Sequence, residues 1–200
     1  MISFFKKLKN SQLNKGMTYV EIIVVLTIFS TLASITLFNY GEFQAKVDLK
    51  NLANDIALKV VEAQKSSLNG RLPPAGVPPI DWKPSYGIYF STVSSNGADN
   101  KNFIYFVDLN QDGIFDGSDC TNECLEKVTI TKGNTISGIQ AVGGSCPVIT
   151  NLTVYFKRPD SSAKTGLPCS DFSHVQINIL SPKGSTSNIK LYPSGRVQIN

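Results

Sequence analysis

Two hundred residues are enough for one small domain and an appendage. With 42% hydrophobic and 17% charged residues the chain has a globular composition, which argues against extended disorder. The formal charge of +4 does not indicate a nucleic-acid binder. Lys6, Lys7, Lys9 and Lys15, in a stretch of sixteen residues without an acid, account for all of it, and the remainder is neutral.

Residues 16–21 read Gly-Met-Thr-Tyr-Val-Glu, and an apolar run, Ile22 to Phe38, follows at once. At about 1.5 Å per residue that run reaches roughly 25 Å, and adding Met17–Val20 brings it to the hydrocarbon thickness of a bilayer. The lysines before it favour holding that end in the cytoplasm and sending the rest outward. Glu21 is the only charge between Lys15 and Glu42. A carboxylate at a membrane-length segment is costly, about 2.5–3.5 kcal/mol on insertion scales, and is usually kept for a function. A secretory signal would need a shorter apolar core and a small-x-small cleavage site beyond it. An ordinary anchor would have no reason for Glu21.

This Gly-Met-Thr-Tyr-Val-Glu motif resembles the processing site of type IV prepilins and type II secretion pseudoprepilins. The resemblance implies a leader, residues 1–16, cut after Gly16 by a prepilin peptidase. It implies methylation of the new N-terminal residue, Met17, by the same peptidase/methylase. It gives Glu21, as fifth mature residue, the task of pairing with the N-terminal amine of a neighbouring subunit. Major pilins usually carry a glycine and a proline where this chain has Ser30 and Phe38. The missing proline favours a minor pilin or pseudopilin over a major one.

Beyond the membrane segment, Leu49, Leu52, Ala53, Ile56, Val60 and Ala63 recur at three- and four-residue steps, the apolar face of a helix. Glu42–Lys46 and Asp55–Lys59 are acid-before-base pairs at helical spacing. No proline interrupts, and Asn69-Gly70 is a stop signal. These features predict one helix over residues 17–69, ending near Leu68, and a head domain over 70–200. Arg71–Pro84 reads as a proline-rich extended loop, with Trp82 at the core edge. Strands are predicted near Tyr86–Thr92, Asn102–Val107, Lys127–Thr131, Ser137–Ala141, Leu152–Lys157, Val175–Leu180, Asn188–Tyr192 and Arg196–Ile199, with Pro193-Ser194-Gly195 as the last hairpin turn. The fold class is α+β, a type IV pilin-like long helix packed on an antiparallel sheet.

Between two of these strands lies an acidic loop. Asp108, Asn110, Asp112, Asp116 and Asp119 occupy loop positions 1, 3, 5, 9 and 12, with Gly113 at 6 and the carbonyl of Ile114 at 7. That is the ligand spacing of a calcium loop, so calcium is the one cofactor the residues suggest. The competing reading is a tight turn rich in Asp, Asn and Gly. Cys120, Cys124, Cys146 and Cys169 fall on the outward side, where disulfides persist. Four cysteines allow three pairings. Cys120–Cys124 with Cys146–Cys169 is favoured, and the first pair would clamp the acidic loop. A four-cysteine zinc site fits the spacing poorly.

Val154–Asp160, Val175–Ile179 and Leu191–Val197 resemble the C-terminal half of the GspH/FimT-type minor pilins and pseudopilins. Some proteins of that group bind DNA through a Gly-Arg-x-Arg stretch. Here it reads Gly195-Arg196-Val197-Gln198, so the second arginine is absent, and only Lys190 and Arg196, with Lys157 and Arg158 nearby, remain for phosphate contact. No nucleophile elbow, phosphate loop or paired catalytic carboxylate is present, and His174 has only Asp171 near it in sequence. The chain therefore reads as a non-enzymatic subunit of a pilus-like filament. Its expected partners are other pilin subunits, the peptidase, an inner-membrane assembly platform and, before assembly, lipid. A tip module that binds DNA or a surface is the second expectation. The expected location is the cytoplasmic membrane with the head outside, then an extracellular or periplasmic filament.

Overall fold

The computed structural model describes residues 16–71, 85–117, 120, 122–146, 148–169 and 171–200, without the side chains of Phe38 and Asn39. Trp82 and most of the proline-rich loop lie outside these residues, as does Asp119. Among the described residues a single helix, α1 (Tyr19–Leu68, 50 residues), is followed by nine strands. Two compact units divide inside α1: one up to Gly41, the other Glu42–Asn200. Residues 42–68 of the helix therefore belong to the packing of the head.

α1 begins two residues later than expected because Thr18 caps it. The Thr18 hydroxyl accepts the Glu21 N–H at 3.3 Å, and the Thr18 carbonyl accepts Ile22 N–H at 3.2 Å. The helix ends as the Asn69-Gly70 signal predicts. Gly70 takes a left-handed φ of 64°, its N–H donates to the Ser67 carbonyl, and Arg71 N–H donates to that of Ser66. This pair of bonds is a Schellman closure, which satisfies carbonyls the last turn would leave open.

The strands are β1 (Ser85–Ser91), β2 (Asn102–Asp108), β3 (Cys124–Thr129), β4 (Thr135–Val142), β5 (Asn151–Lys157), β6 (Lys164–Thr165), β7 (His174–Leu180), β8 (Thr186–Leu191) and β9 (Val197–Ile199). They form two antiparallel sheets, in the orders β3-β2-β1-β5-β6 and β4-β7-β8-β9, as the α+β expectation of a helix on antiparallel sheet allows. β6 is an addition to the predicted set. β3 starts earlier than predicted, at Cys124, where a bulge shifts its register against Tyr105 and Phe106.

One core joins both sheets to α1. Leu49, Ala53, Ile56, Val60 and Ala63 meet Tyr86, Ile88, Phe90, Phe103, Tyr105, Val154 and Phe156 of the first sheet. In the second sheet Ile139, Ile177, Ile189 and Ile199 stand opposite one another across all four strands, and the first three are buried in the same core. Polar anchors fix the helix end. Ser67 Oγ donates to the Phe156 carbonyl at 2.8 Å, Tyr105 Oη to Ser66 Oγ at 3.0 Å, and Gln64 Nε2 to the Ser161 carbonyl at 2.8 Å. The β8–β9 turn closes against the same point. Gly195 has φ 82°, and a Cβ there would lie 2.5 Å from Gln64 Nε2 and 2.6 Å from the Ser161 carbonyl oxygen. Only glycine meets both demands.

β1 and β2 are buried on both faces. Opposite the helix, Tyr89, Ile104 and Phe106 are covered by Phe115, whose ring lies 5.3 Å from those of Tyr89 and Phe106. The β2–β3 connection thus folds back over the sheet. Cys120–Cys124 closes it, with Cα atoms 4.7 Å apart, and Cys146–Cys169 joins the segments after β4 and before β7, at 5.6 Å. Both separations suit a disulfide, and the pairing is the favoured one.

Candidate functional site: the exposed helix segment and the acidic loop

The N-terminal unit is apolar all round. From Met17 to Leu37 the large side chains are exposed: Phe29 is 70% and Leu37 74% accessible. A helix without a polar face needs an apolar environment. The hydroxyls in this stretch do not oppose that. Thr27, Thr31, Ser34 and Thr36 each donate to a carbonyl three or four residues back, at 2.8–2.9 Å. Their polarity is spent inside the helix, as a hydrocarbon environment requires. The segment is long and apolar enough to cross a membrane.

Gly16 and Met17 lie exposed in the segment before the helix, and nothing lies within 4 Å of a Cβ built on Gly16. Glu21 is exposed in the first turn of α1. Thr18 and Glu21 have the Thr-x-x-Glu spacing of a capping box, in which the threonine satisfies a free N–H of the first turn. An acid in that turn also complements the helix dipole by about 0.3–1 kcal/mol. Glu21 therefore has a local role in starting the helix besides any role between subunits. Thr18 stands outside the apolar pattern that predicts the helix, and its three-residue spacing from Glu21 is the sequence signal for the cap.

The second site is the acidic loop. Asp108, the last residue of β2, is only 1% exposed. Its Oδ2 accepts the Gly113 N–H at 3.0 Å, and its Oδ1 has no hydrogen-bond partner. Burial pushes its carboxyl up to about 6. The Gly113 and Gln111 N–H groups oppose this, while the charges of Glu123 and Asp112 add to it. Asn110 Nδ2 bridges Asp112 Oδ2 and Asp116 Oδ2, at 2.9 Å to each. Asp112 Oδ1 accepts the Ile114 N–H at 2.8 Å. Glu123, which the spacing argument did not include, is 3% exposed and accepts N–H groups from both ends of the loop, Leu109 at 2.8 Å and Asp116 at 2.9 Å. Among the described residues no three acids, cysteines or histidines already stand as a metal site. Much of the acidic set is engaged by the loop's own N–H groups instead.

Lys190 sits in β8 within a polar row, Gln140–Gln176–Lys190–Gln198, that crosses the second sheet. It is the only cation in that row. Arg196 stacks on the Tyr192 ring at 4.2 Å, and the His174 ring lies 5.3 Å from the same tyrosine. Comparison with protein-family models, with curated proteins and with solved structures returns no match. One long N-terminal apolar helix, packed through its second half on antiparallel sheets, is compatible with a pilin-like fold.

Proposed function

We propose that this chain is a minor pilin or pseudopilin, a structural subunit of a type IV pilus-like filament or of a type II secretion pseudopilus. The observation that carries the reading is the helix segment Tyr19–Leu37, apolar on every side, with Glu21 as its only charge. Lipid covers it before assembly, and the equivalent helices of neighbouring subunits cover it afterwards. Prepilin peptidase removes residues 1–16 and methylates Met17, leaving an amine that Glu21 of an adjoining subunit can neutralise. A buried carboxylate without a partner is costly and a paired one much less so, so docking on the assembly platform relieves a penalty carried in the membrane. The chemistry is done to this chain, not by it. The subunit lies first in the cytoplasmic membrane with its head outside, then in an extracellular or periplasmic filament.

Intact-mass measurement of the protein isolated from cells with an active prepilin peptidase tests the processing step. A chain starting at Met17 and carrying one methyl group is expected, and a chain that keeps residues 1–16 rejects the reading.

The second reading, a tip module for DNA, draws on Arg196 over Tyr192, an arginine–aromatic stack of the kind that binds bases and phosphates. A gel shift at low salt decides it: retarded single- or double-stranded DNA supports it, and free DNA at low salt removes it.

A further inference from the structure

The outward face of the second sheet is made largely of amides. Along its strands Ile139, Ile177, Ile189 and Ile199 turn to the core, and the residues between them turn out. The cross-strand register sets these outward residues in rows. One row, Gln140–Gln176–Lys190–Gln198, crosses all four strands. The next is Gly138–Asn178–Asn188–Asn200, in which Asn188 and Asn200 exchange both backbone bonds, at 3.1 and 2.9 Å. On the other side of the first row stand His174, Tyr192 and Arg196, with the tyrosine ring in contact with both neighbours. The four strands contain no aspartate or glutamate, so Lys190 and Arg196 meet no opposing acid from this sheet.

Water does not require such a face. A soluble strand surface is served by charges of both signs, as in β3 with Glu126 and Lys127. An amide offers donors and an acceptor together, which matches a hydroxyl that also donates and accepts. Two of the amides are held in place. Gln176 Nε2 donates to Asn178 Oδ1 at 2.7 Å, and Gln198 Oε1 accepts the Tyr192 hydroxyl at 3.1 Å. Groups already fixed cost less to order when a ligand binds. Spacing adds to the chemistry. Neighbouring strands lie about 4.8 Å apart, close to the length of one sugar unit in an extended glycan. A glycan lying across the strands would therefore set one sugar over each residue of the row from Gln140 to Gln198. Lys190 and Arg196 are diagonal neighbours, about 7–8 Å apart at the backbone, near enough for both side chains to reach one carboxylate.

We propose that this face binds an acidic polysaccharide, an extended glycan whose sugars carry carboxylates. Gln140, Gln176 and Gln198 bond its hydroxyls, and Lys190 with Arg196 takes a carboxylate through charge-assisted bonds. Charge selects an acidic glycan over a neutral one, because the sheet supplies two cations and no acid. The amides select sugar over nucleic acid. Two cations give little phosphate attraction. The Tyr192 ring, on which a base would stack, already carries Arg196 at 4.2 Å and has His174 at 5.3 Å. The ligand is distinct from the DNA of the second reading, and the proposal does not rest on the filament reading.

The test is retention of the full chain in detergent on immobilised polygalacturonate at about 0.15 M salt, with immobilised dextran and immobilised double-stranded DNA in parallel. Retention on polygalacturonate alone is expected. Gln140→Ala is the deciding variant. Gln140 is exposed and uncharged, so its loss leaves the fold and the net charge intact. It should weaken retention roughly threefold, the loss of one modest hydrogen bond. Lys190→Gln combined with Arg196→Gln should weaken it roughly tenfold or more, with unfolding midpoints confirming that both proteins fold. No retention on polygalacturonate would overturn the proposal. DNA retained as strongly as polygalacturonate, or a Gln140→Ala chain that binds as the parent does, would reduce the face to a general polyanion surface and overturn it as well. Equal binding to dextran would contradict the selection by charge. None of these results bears on the filament reading, which the mass measurement tests separately.

Discussion

Residues 22–37 and 45–63 of α1 are both rich in Leu, Ile, Val and Ala, yet the first stretch leaves its large side chains exposed while the second buries a stripe in the head. The difference lies in what stands between the apolar residues. In the second stretch Lys50, Asn51, Asn54 and Asp55 make an exposed face, and Asp48, Lys59 and Glu62 line its edges half-buried. Lys59 bonds Glu62 at 2.9 Å and Glu126 at 2.7 Å, and Lys132 bonds Asp48 at 2.6 Å. In the first stretch the space between aliphatic residues is filled by Ser and Thr, and the hydroxyls of Thr27, Thr31, Ser34 and Thr36 turn back on the helix. One half is built to pack on its own chain. The other has no surface suited to water.

Truncating a core position in each half should separate them most clearly. Ile56→Ala removes a fully buried side chain and should lower head stability by about 2–5 kcal/mol. Ile28→Ala should leave the head's unfolding midpoint unchanged, as thermal melts of the two variants in detergent can show. The reverse pattern is expected for charge. Val25→Arg should disfavour membrane insertion by about 2.5–3.5 kcal/mol, read as the fraction resisting carbonate extraction, with no change in the head's midpoint. Gly195→Ala, which forces a side chain into a left-handed turn pressed on Gln64 and Ser161, should cost the head about 1–3 kcal/mol. The smallest effects are single hydrogen bonds. Tyr105→Phe should cost the head about 1 kcal/mol through Ser66. Thr18→Ala should cost about 1 kcal/mol at the start of the helix, seen as faster amide exchange at Glu21 and Ile22 with head amides unaffected.

The sequence carried the helix and most strands because each depends on local periodicity and punctuation. Asn69-Gly70 and Pro193-Ser194-Gly195 mark real turns for that reason. The division into two sheets was not legible, since it depends on which distant strands pair, such as β4 with β7 across more than thirty residues. β6 has two residues and no periodicity to detect. In the acidic loop the spacing of Asp108, Asn110 and Asp112 was readable. Glu123 was not, because it reaches Leu109 and Asp116 only after the chain has folded back over the sheet. In the sequence Phe115 is one aromatic in a polar loop, with no periodicity to mark it as buried. Its role as a plug over Tyr89 and Phe106 comes from the same fold-back.

The central claim is that the exposed half of α1 is an assembly surface and that Glu21 is neutralised there by another subunit. Its most direct test is Glu21→Ala in cells that form the filament, following the chain in membrane and sheared-filament fractions. The account predicts full membrane insertion with little or no variant in filaments. Incorporation equal to the parent's would contradict it.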